Sequence, residues 1–144
     1  MRSAGRILVD QGDGGCIVST SSIAAHSPGN GPHIYGTAKA AVAHLTQRAA
    51  LELGEQRIRV NAVCPGSVVT ALVAGVLGVG PESYESLEAM TSTMRPYPRV
   101  LSVDDIAATV AWLASDDATM VNGQVITVDG AESVGPSWSN QMVK

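Results

Sequence analysis

Three short apolar runs alternate with helical patterns along this chain. The runs cover residues 16–20, 58–63 and 124–128. Each is rich in β-branched residues and short enough to form a buried strand. Between the first two runs, from Ala38 to Leu53, apolar residues recur three and four positions apart, which predicts an amphipathic helix. Gly54 follows directly and is expected to form the C-cap of this helix.

A second long helix is predicted between the second and third runs. Ser102 and Asp105 have the spacing of a capping box, and the apolar pattern that follows continues to Ser115. Residues 3–11 are expected to be the end of a helix. Residues 67–100 contain three prolines, and we expect short helices joined by loops in this segment. Alternating strands and helices predict crossover connections and a parallel sheet, so the predicted fold class is α/β.

The composition is that of one domain with an aliphatic core. The chain has 144 residues, of which 45% are hydrophobic and only 3% aromatic, without any Phe. The buried side chains are therefore expected to be aliphatic and rich in alanine. We assign residues 1–132 to the domain and residues 133–144 to a polar tail, in which Trp138 is the one candidate anchor.

Charge and hydropathy exclude several classes of partner. The formal net charge is −4 and no basic patch is present, which argues against nucleic acid. No uninterrupted apolar stretch approaches the roughly 18 residues of a membrane span, and the start lacks the apolar segment of a signal peptide. Cys16 and Cys64 lie far apart and form no Cys-x-x-Cys pair, which favours two reduced core thiols. These features predict a cytoplasmic location and no membrane partner.

One tyrosine and one lysine have a spacing that suggests proton chemistry. Tyr35 and Lys39 are one helical turn apart and are expected to lie on the same helix face. A free tyrosine has a pKa of about 10, and a neighbouring positive charge favours its ionised form. Ser22 lies thirteen residues before Tyr35, just after an apolar run, and its hydroxyl can hydrogen-bond the oxygen that gains or loses the proton. Ser19 and Ser21 are alternatives to Ser22.

Other readings of these residues are less favoured by the sequence. Ser22 with His26 or His33 as a base would suggest a hydrolase, but the chain lacks a Gly-x-Ser-x-Gly elbow and an acidic residue placed to orient either histidine. The histidines also lack the partners of a metal site. The glycines of residues 75–80 imitate a dinucleotide fingerprint, but such a fingerprint follows a strand and opens a helix. We interpret this segment as a flexible loop on the substrate side.

Several segments together resemble the short-chain dehydrogenases/reductases. The run from Ile34 to Val42, with Ser21 and Ser22 upstream, is similar to the active-site segment of that family. Three further segments resemble its sixth strand with a Pro-Gly turn, its last long helix and its seventh strand; they are residues 59–66, 105–116 and 122–130. The interval to Tyr35 favours Ser22 over the two alternative serines.

The resemblance implies a chemistry and a cofactor. It implies that Tyr35 is the general acid or base, that Lys39 assists it and holds the nicotinamide ribose, and that Ser22 binds the substrate oxygen. It also implies that NAD or NADP is the cofactor and that the substrate is a small carbonyl compound or secondary alcohol. The positions implied to contact the cofactor are Tyr35, Lys39, Pro65, Gly66, Val68 and Thr70.

The resemblance covers only the later part of the family's fold. It implies a partial Rossmann-like, doubly wound parallel sheet that begins inside the helix before the fifth strand and keeps strands five, six and seven. The Gly-rich turn that binds the cofactor pyrophosphate would lie upstream. An alternative function is therefore a catalytically inactive truncated fragment or a partner subunit. The resemblance also implies a homo-oligomer, or association with full-length family members.

Overall fold

The computed structural model describes residues 1–135, which form a three-stranded parallel sheet with flanking helices. The strands are β1 (Gly15–Thr20), β2 (Ile58–Pro65) and β3 (Val125–Val128), in the order β1-β2-β3. Ile17 of β1 pairs with Val60, and Val63 of β2 pairs with Ile126. The predicted strands and their parallel arrangement are confirmed. Trp138 and most of the predicted tail lie outside the described residues.

Within residues 1–135, five α-helices and several short 3-10 turns connect and cover the strands. The helices are α1 (Arg2–Gln11), α2 (His33–Leu53), α3 (Ala71–Leu77), α4 (Tyr84–Ser92) and α5 (Val103–Ala114). The short helices expected within residues 67–100 are thus α3 and α4. Among these helices, none within residues 1–135 combines the length and apolar character that crossing a bilayer requires.

Gly54 is the C-cap of α2, as predicted. Its backbone is right-handed (φ −60°), and the chain continues as a 3-10 turn over Gly54–Gln56. Arg57 takes the left-handed conformation instead, with φ 58°. Tertiary contacts hold it there, because its carbonyl accepts a hydrogen bond from Gly15 N at 3.2 Å and its guanidinium donates to the Gly12 carbonyl at 3.2 Å. The left-handed conformation that often follows a helix is therefore found at Arg57, three residues after Gly54.

Helices cover both faces of the central strand. Ile58 and Val60 of β2 pack with Ala49 and Ala50 of α2 in one buried cluster. On the opposite face, the Arg59 guanidinium donates hydrogen bonds to the carbonyls of Leu113, near the end of α5, and of Ser115, just beyond it. The Leu113 side chain is fully buried. The buried hydrophobic residues of the described chain are aliphatic side chains, many of them alanine, and one cysteine, as the composition predicts.

The predicted capping box at the start of α5 is present. Asp105 N donates to Ser102 Oγ at 3.3 Å, and the Asp105 carboxylate accepts from Ser102 N at 2.9 Å. Arg99 adds a bidentate pair to the same carboxylate, with both distances 2.7 Å. The hydrogen bonds from Arg99 and then from Ser102 hold the pKa of Asp105 well below its usual range, and the same pair raises the pKa of Arg99.

Candidate active site

Tyr35 and Lys39 lie together near the start of α2. The helix begins at His33, so Tyr35 is in its first turn and Lys39 in the next. Lys39 Nζ is 5.6 Å from the centroid of the Tyr35 ring, which confirms that the two side chains share a helix face. The Tyr35 side chain remains accessible, since the residue is 42% exposed. A phenol with an adjacent ammonium group is thus presented at the surface of the described residues.

Lys39 also joins α2 to the carboxyl end of β1. Its Nζ donates to the Thr20 carbonyl at 3.0 Å, while its own carbonyl accepts a hydrogen bond from Ser21 Oγ at 2.7 Å. Ser21 is only 2% exposed, so its hydroxyl serves this internal contact. The helix carrying the tyrosine is therefore held against the end of the strand by both the side chain and the backbone of one residue.

Ser22 has a different environment from Ser21. It is half-buried and precedes a 3-10 turn over Ile23–Ala25, where its Oγ accepts a hydrogen bond from Ala24 N at 3.2 Å. Since the hydroxyl acts as an acceptor in this bond, its hydrogen is left to donate to another group. This N-cap role was not predicted, although serine is a residue type that often accepts a hydrogen bond from the backbone N–H two residues later.

Four of the positions expected to contact the cofactor lie within residues 65–70, at the end of β2 and directly after it. Pro65 ends β2 opposite Val128, and Gly66 N donates to the Val128 carbonyl at 3.0 Å. A Cβ atom on Gly66 would lie 2.7 Å from the Asp129 Cβ, so only glycine fits this close approach. Because β1 and β2 are parallel neighbours, this turn and the segment carrying Ser22 follow the same ends of the strands.

Val68 and Thr70 connect this turn to α3. Val68 is half-buried. Thr70 is the N-cap of α3, and its Oγ1 accepts a hydrogen bond from Val73 N at 3.4 Å. The glycines of residues 75–80 begin inside α3 and continue beyond it, so they do not follow a strand as a dinucleotide fingerprint would.

A buried ion pair beside Ser67 was missed by the sequence analysis. Arg95, which follows α4, and Glu132, in the turn after β3, approach to 3.1 Å and both contact Ser67. The three residues lie 28 to 65 positions apart in the chain. No periodicity or motif spacing connects them, so the sequence carried no signal for this contact.

A polar group at the end of β3 involves one of the histidines. Ser133 donates from its hydroxyl to Asp129 at 2.6 Å, and the same Oγ is 3.5 Å from His26 Nε2. Burial by itself would raise the pKa of Asp129, but hydrogen bonds from Ser133 and Ala131 outweigh burial and lower it. The serine lies between the histidine and the carboxylate, whereas a hydrolytic triad needs the histidine in the middle.

Metal-ligating side chains are dispersed in the described part of the chain. Across residues 1–135, His, Cys, Asp and Glu side chains form no group of three or more that could hold a metal ion. Cys16 and Cys64 are both free, and Cys64 is buried.

Comparisons with known proteins agree with this architecture. A family model described as Enoyl-(Acyl carrier protein) reductase matches residues 1–131. Momilactone A synthase from Oryza sativa subsp. japonica is 41% identical over 120 residues, which are 83% of this chain and 43% of that protein. A solved short-chain type dehydrogenase/reductase from Mycobacterium ulcerans is 40% identical with a TM-score of 0.78, over 92% of this chain and 46% of its own.

A third relative was solved with a nicotinamide cofactor. It is a 4-hydroxyisoleucine dehydrogenase complexed with NADH, 26% identical with a TM-score of 0.74, and the match covers 94% of this chain and 53% of that one. The present chain therefore spans about half the length of the relatives it matches. Its three parallel strands form a partial Rossmann-like sheet. Because the family model matches nearly the whole sequence, the chain belongs to the short-chain dehydrogenase/reductase family.

Proposed function

We propose that this chain carries the proton-transfer part of an NAD(P)-dependent oxidoreductase that acts on a carbonyl compound or secondary alcohol. The observation that carries the proposal is the contact between Lys39 Nζ and the Tyr35 ring, at 5.6 Å, on an accessible helix face. Ser22 follows the strand to whose end Lys39 is hydrogen-bonded. Reduction of a carbonyl needs one proton at the substrate oxygen besides the hydride, and the Tyr35 phenol is a group that can donate it.

The three side chains have distinct roles in this proposal. Tyr35 gives its proton to the substrate oxygen in reduction and takes it back in oxidation. Lys39 places its ammonium group beside the Tyr35 ring, and its bond to the Thr20 carbonyl keeps that group in place. Ser22 donates its hydroxyl hydrogen to the same substrate oxygen, where negative charge develops. Tyr35, Lys39 and Ser22 are the proposed catalytic residues.

A nicotinamide dinucleotide, NAD or NADP, would supply the hydride when bound. Tyr35 and Lys39 would face its ribose, and the segment of Pro65, Gly66, Val68 and Thr70 would hold its carboxamide. The related 4-hydroxyisoleucine dehydrogenase with NADH supports the cofactor class.

A second candidate function is favoured by the outer edge of β1. Among residues 1–135 no strand pairs with this edge. An unpaired strand edge is a template for association. The chain would then be an inactive subunit that joins full-length family members or a second copy of itself.

Cofactor titration and one conservative substitution distinguish the two candidates. The purified chain is titrated with NADH and NADPH by calorimetry and assayed with a panel of secondary alcohols and ketones. We expect saturable binding, and we expect Tyr35→Phe to lower turnover by about 100-fold or more while the fold is kept. Tyr97→Phe is the matched control, since Tyr97 is 60% exposed and its ring contacts Arg99, and it should leave turnover unchanged.

Each result has a defined meaning. Turnover by Tyr35→Phe at the wild-type rate would overturn the acid–base role of this tyrosine. Absence of both dinucleotide binding and turnover, together with a folded chain that sediments as an oligomer, would favour the partner-subunit function.

A further inference from the structure

The ion pair of Arg95 and Glu132 is buried at the turn after β2. Arg95 Nη2 is 3.1 Å from Glu132 Oε2, and the two side chains are only 1% and 4% exposed. Arg95 lies just beyond α4, and Glu132 lies in a 3-10 turn beyond β3. Two separate loops therefore bring opposite charges together inside the protein.

All three polar groups of Ser67 are bonded to this pair. Its backbone N–H donates to Glu132 Oε2 at 3.0 Å, and its hydroxyl donates to Glu132 Oε1 at 2.5 Å. Its carbonyl accepts a hydrogen bond from Arg95 Nη2 at 2.7 Å. Charge-assisted hydrogen bonds of this kind are about twice as strong as neutral ones, so the position of Ser67 is closely defined.

Stability alone does not explain such a pair. Removing two charges from water has a large desolvation cost, and replacing a buried pair with apolar residues is often neutral or stabilising. The protein contacts of the guanidinium run through Nη2, while Nε and Nη1 are buried without a protein acceptor among the described residues. We therefore look for the role of the ion pair in the position that it gives to Ser67.

The pair fixes both ends of the segment that contains α3 and α4. Ser67 lies just before this segment, which runs through Thr70 and the two helices, and Arg95 lies just after it. Glu132 bonds to both ends and thereby connects them to the turn after β3. Val68 is the residue directly after Ser67. Because the peptide bond that joins them is planar, the bonded Ser67 carbonyl also sets the position of the Val68 backbone N–H.

We propose that Arg95 and Glu132 are positioning residues that set the Val68 backbone and the Thr70 hydroxyl for the nicotinamide carboxamide. This inference rests on the proposed function, because it concerns the cofactor positions after β2. The pair contacts neither the substrate nor the reacting atoms in this scheme, and it acts through Ser67. A small displacement of a positioned group lowers binding or rate strongly, which makes the effect measurable.

The test compares two variants of the full 144-residue chain with the wild type. Glu132→Gln keeps the shape but removes the charge, and the double variant Arg95→Met, Glu132→Met replaces the pair with apolar side chains. The control is Arg99→Met, which removes an exposed ion pair with Asp105 outside this cluster. Affinity for NADH is measured by calorimetry, amide hydrogen exchange is measured for residues 66–70, and the urea midpoint reports the fold.

We expect the double variant to stay folded with a lower urea midpoint, because Ser67 loses its three hydrogen bonds, to bind NADH at least about tenfold more weakly, and to exchange the amides of residues 67–70 faster. Glu132→Gln should show the same loss of affinity, and Arg99→Met should bind NADH as the wild type does. A purely structural role predicts instead that the double variant, once folded, recovers wild-type affinity.

The outcomes separate this inference from the proposed function. If the wild type binds NADH and the folded double variant binds it equally well, the positioning role is wrong and the proposed function stands. If the wild type binds neither NADH nor NADPH, the proposed function fails and the positioning role fails with it.

Discussion

Leu113→Ala tests whether α5 packs against the sheet. Leu113 lies near the end of α5 and is 0% exposed, and its carbonyl accepts a hydrogen bond from Arg59 of β2 at 2.7 Å. The substitution removes three buried carbon atoms, worth about 2.4 kcal/mol at about 0.8 kcal/mol each. The cavity that remains raises the expected loss to about 3–5 kcal/mol. Since a domain has about 5–15 kcal/mol in total, this loss is a large part of its stability.

Urea unfolding followed by circular dichroism measures this change. The matched control is Leu51→Ala, because Leu51 is also a helical leucine but is 75% exposed, and its change should stay within about 0.5 kcal/mol. The midpoint should shift without a change in slope if both variants unfold in two states. A loss below about 1 kcal/mol for Leu113→Ala, or one equal to that of the control, would refute the packing of α5 described above.

Two further predictions concern the cap of α5 and the acid response. Ser102→Ala removes the N-cap acceptor for Asp105 N and should lower the free energy of unfolding by about 1 kcal/mol, and an unchanged urea midpoint would contradict the capping role. The pKa of Asp129 is lowered in the folded state. Its ionised carboxylate therefore stabilises the fold fully above the unfolded pKa of about 3.9, and this stabilisation is lost as the pH falls through the folded pKa. The difference in melting temperature between wild type and Asp129→Asn should therefore shrink as the pH is lowered from 7 to below about 4, and a constant difference would show that the ionised carboxylate is not what stabilises the fold.

The features that the sequence predicted well are those with a short, local signature. The β-branched run of β2 is buried on both faces, and its composition alone predicted a strand. The capping box of Ser102 and Asp105 depends on residues three positions apart, and the contact of Tyr35 with Lys39 depends on residues four apart. Such spacings translate directly into distances because the geometry of a helix turn is nearly constant.

The features that the sequence did not predict depend on contacts between distant residues. Gly54 had the right residue type for a left-handed cap, yet Arg57 has that conformation, because the turns around Gly12 and Gly15 bond to it across the fold. Ser21 and Ser22 are adjacent and chemically identical. Only the packing of α2 against β1 buries the first and leaves the second partly accessible.

The amino-acid sequence by itself determined the α/β class, the order of the strands along the chain and the shared face of Tyr35 and Lys39. Tertiary structure alone decided that Arg95, Glu132 and Ser67 meet, and that Gly66 lies too close to Asp129 to carry a side chain. The physical reason is the range of the interactions. Periodicity and capping act within a few residues, whereas a buried ion pair forms only where the whole fold brings two loops together.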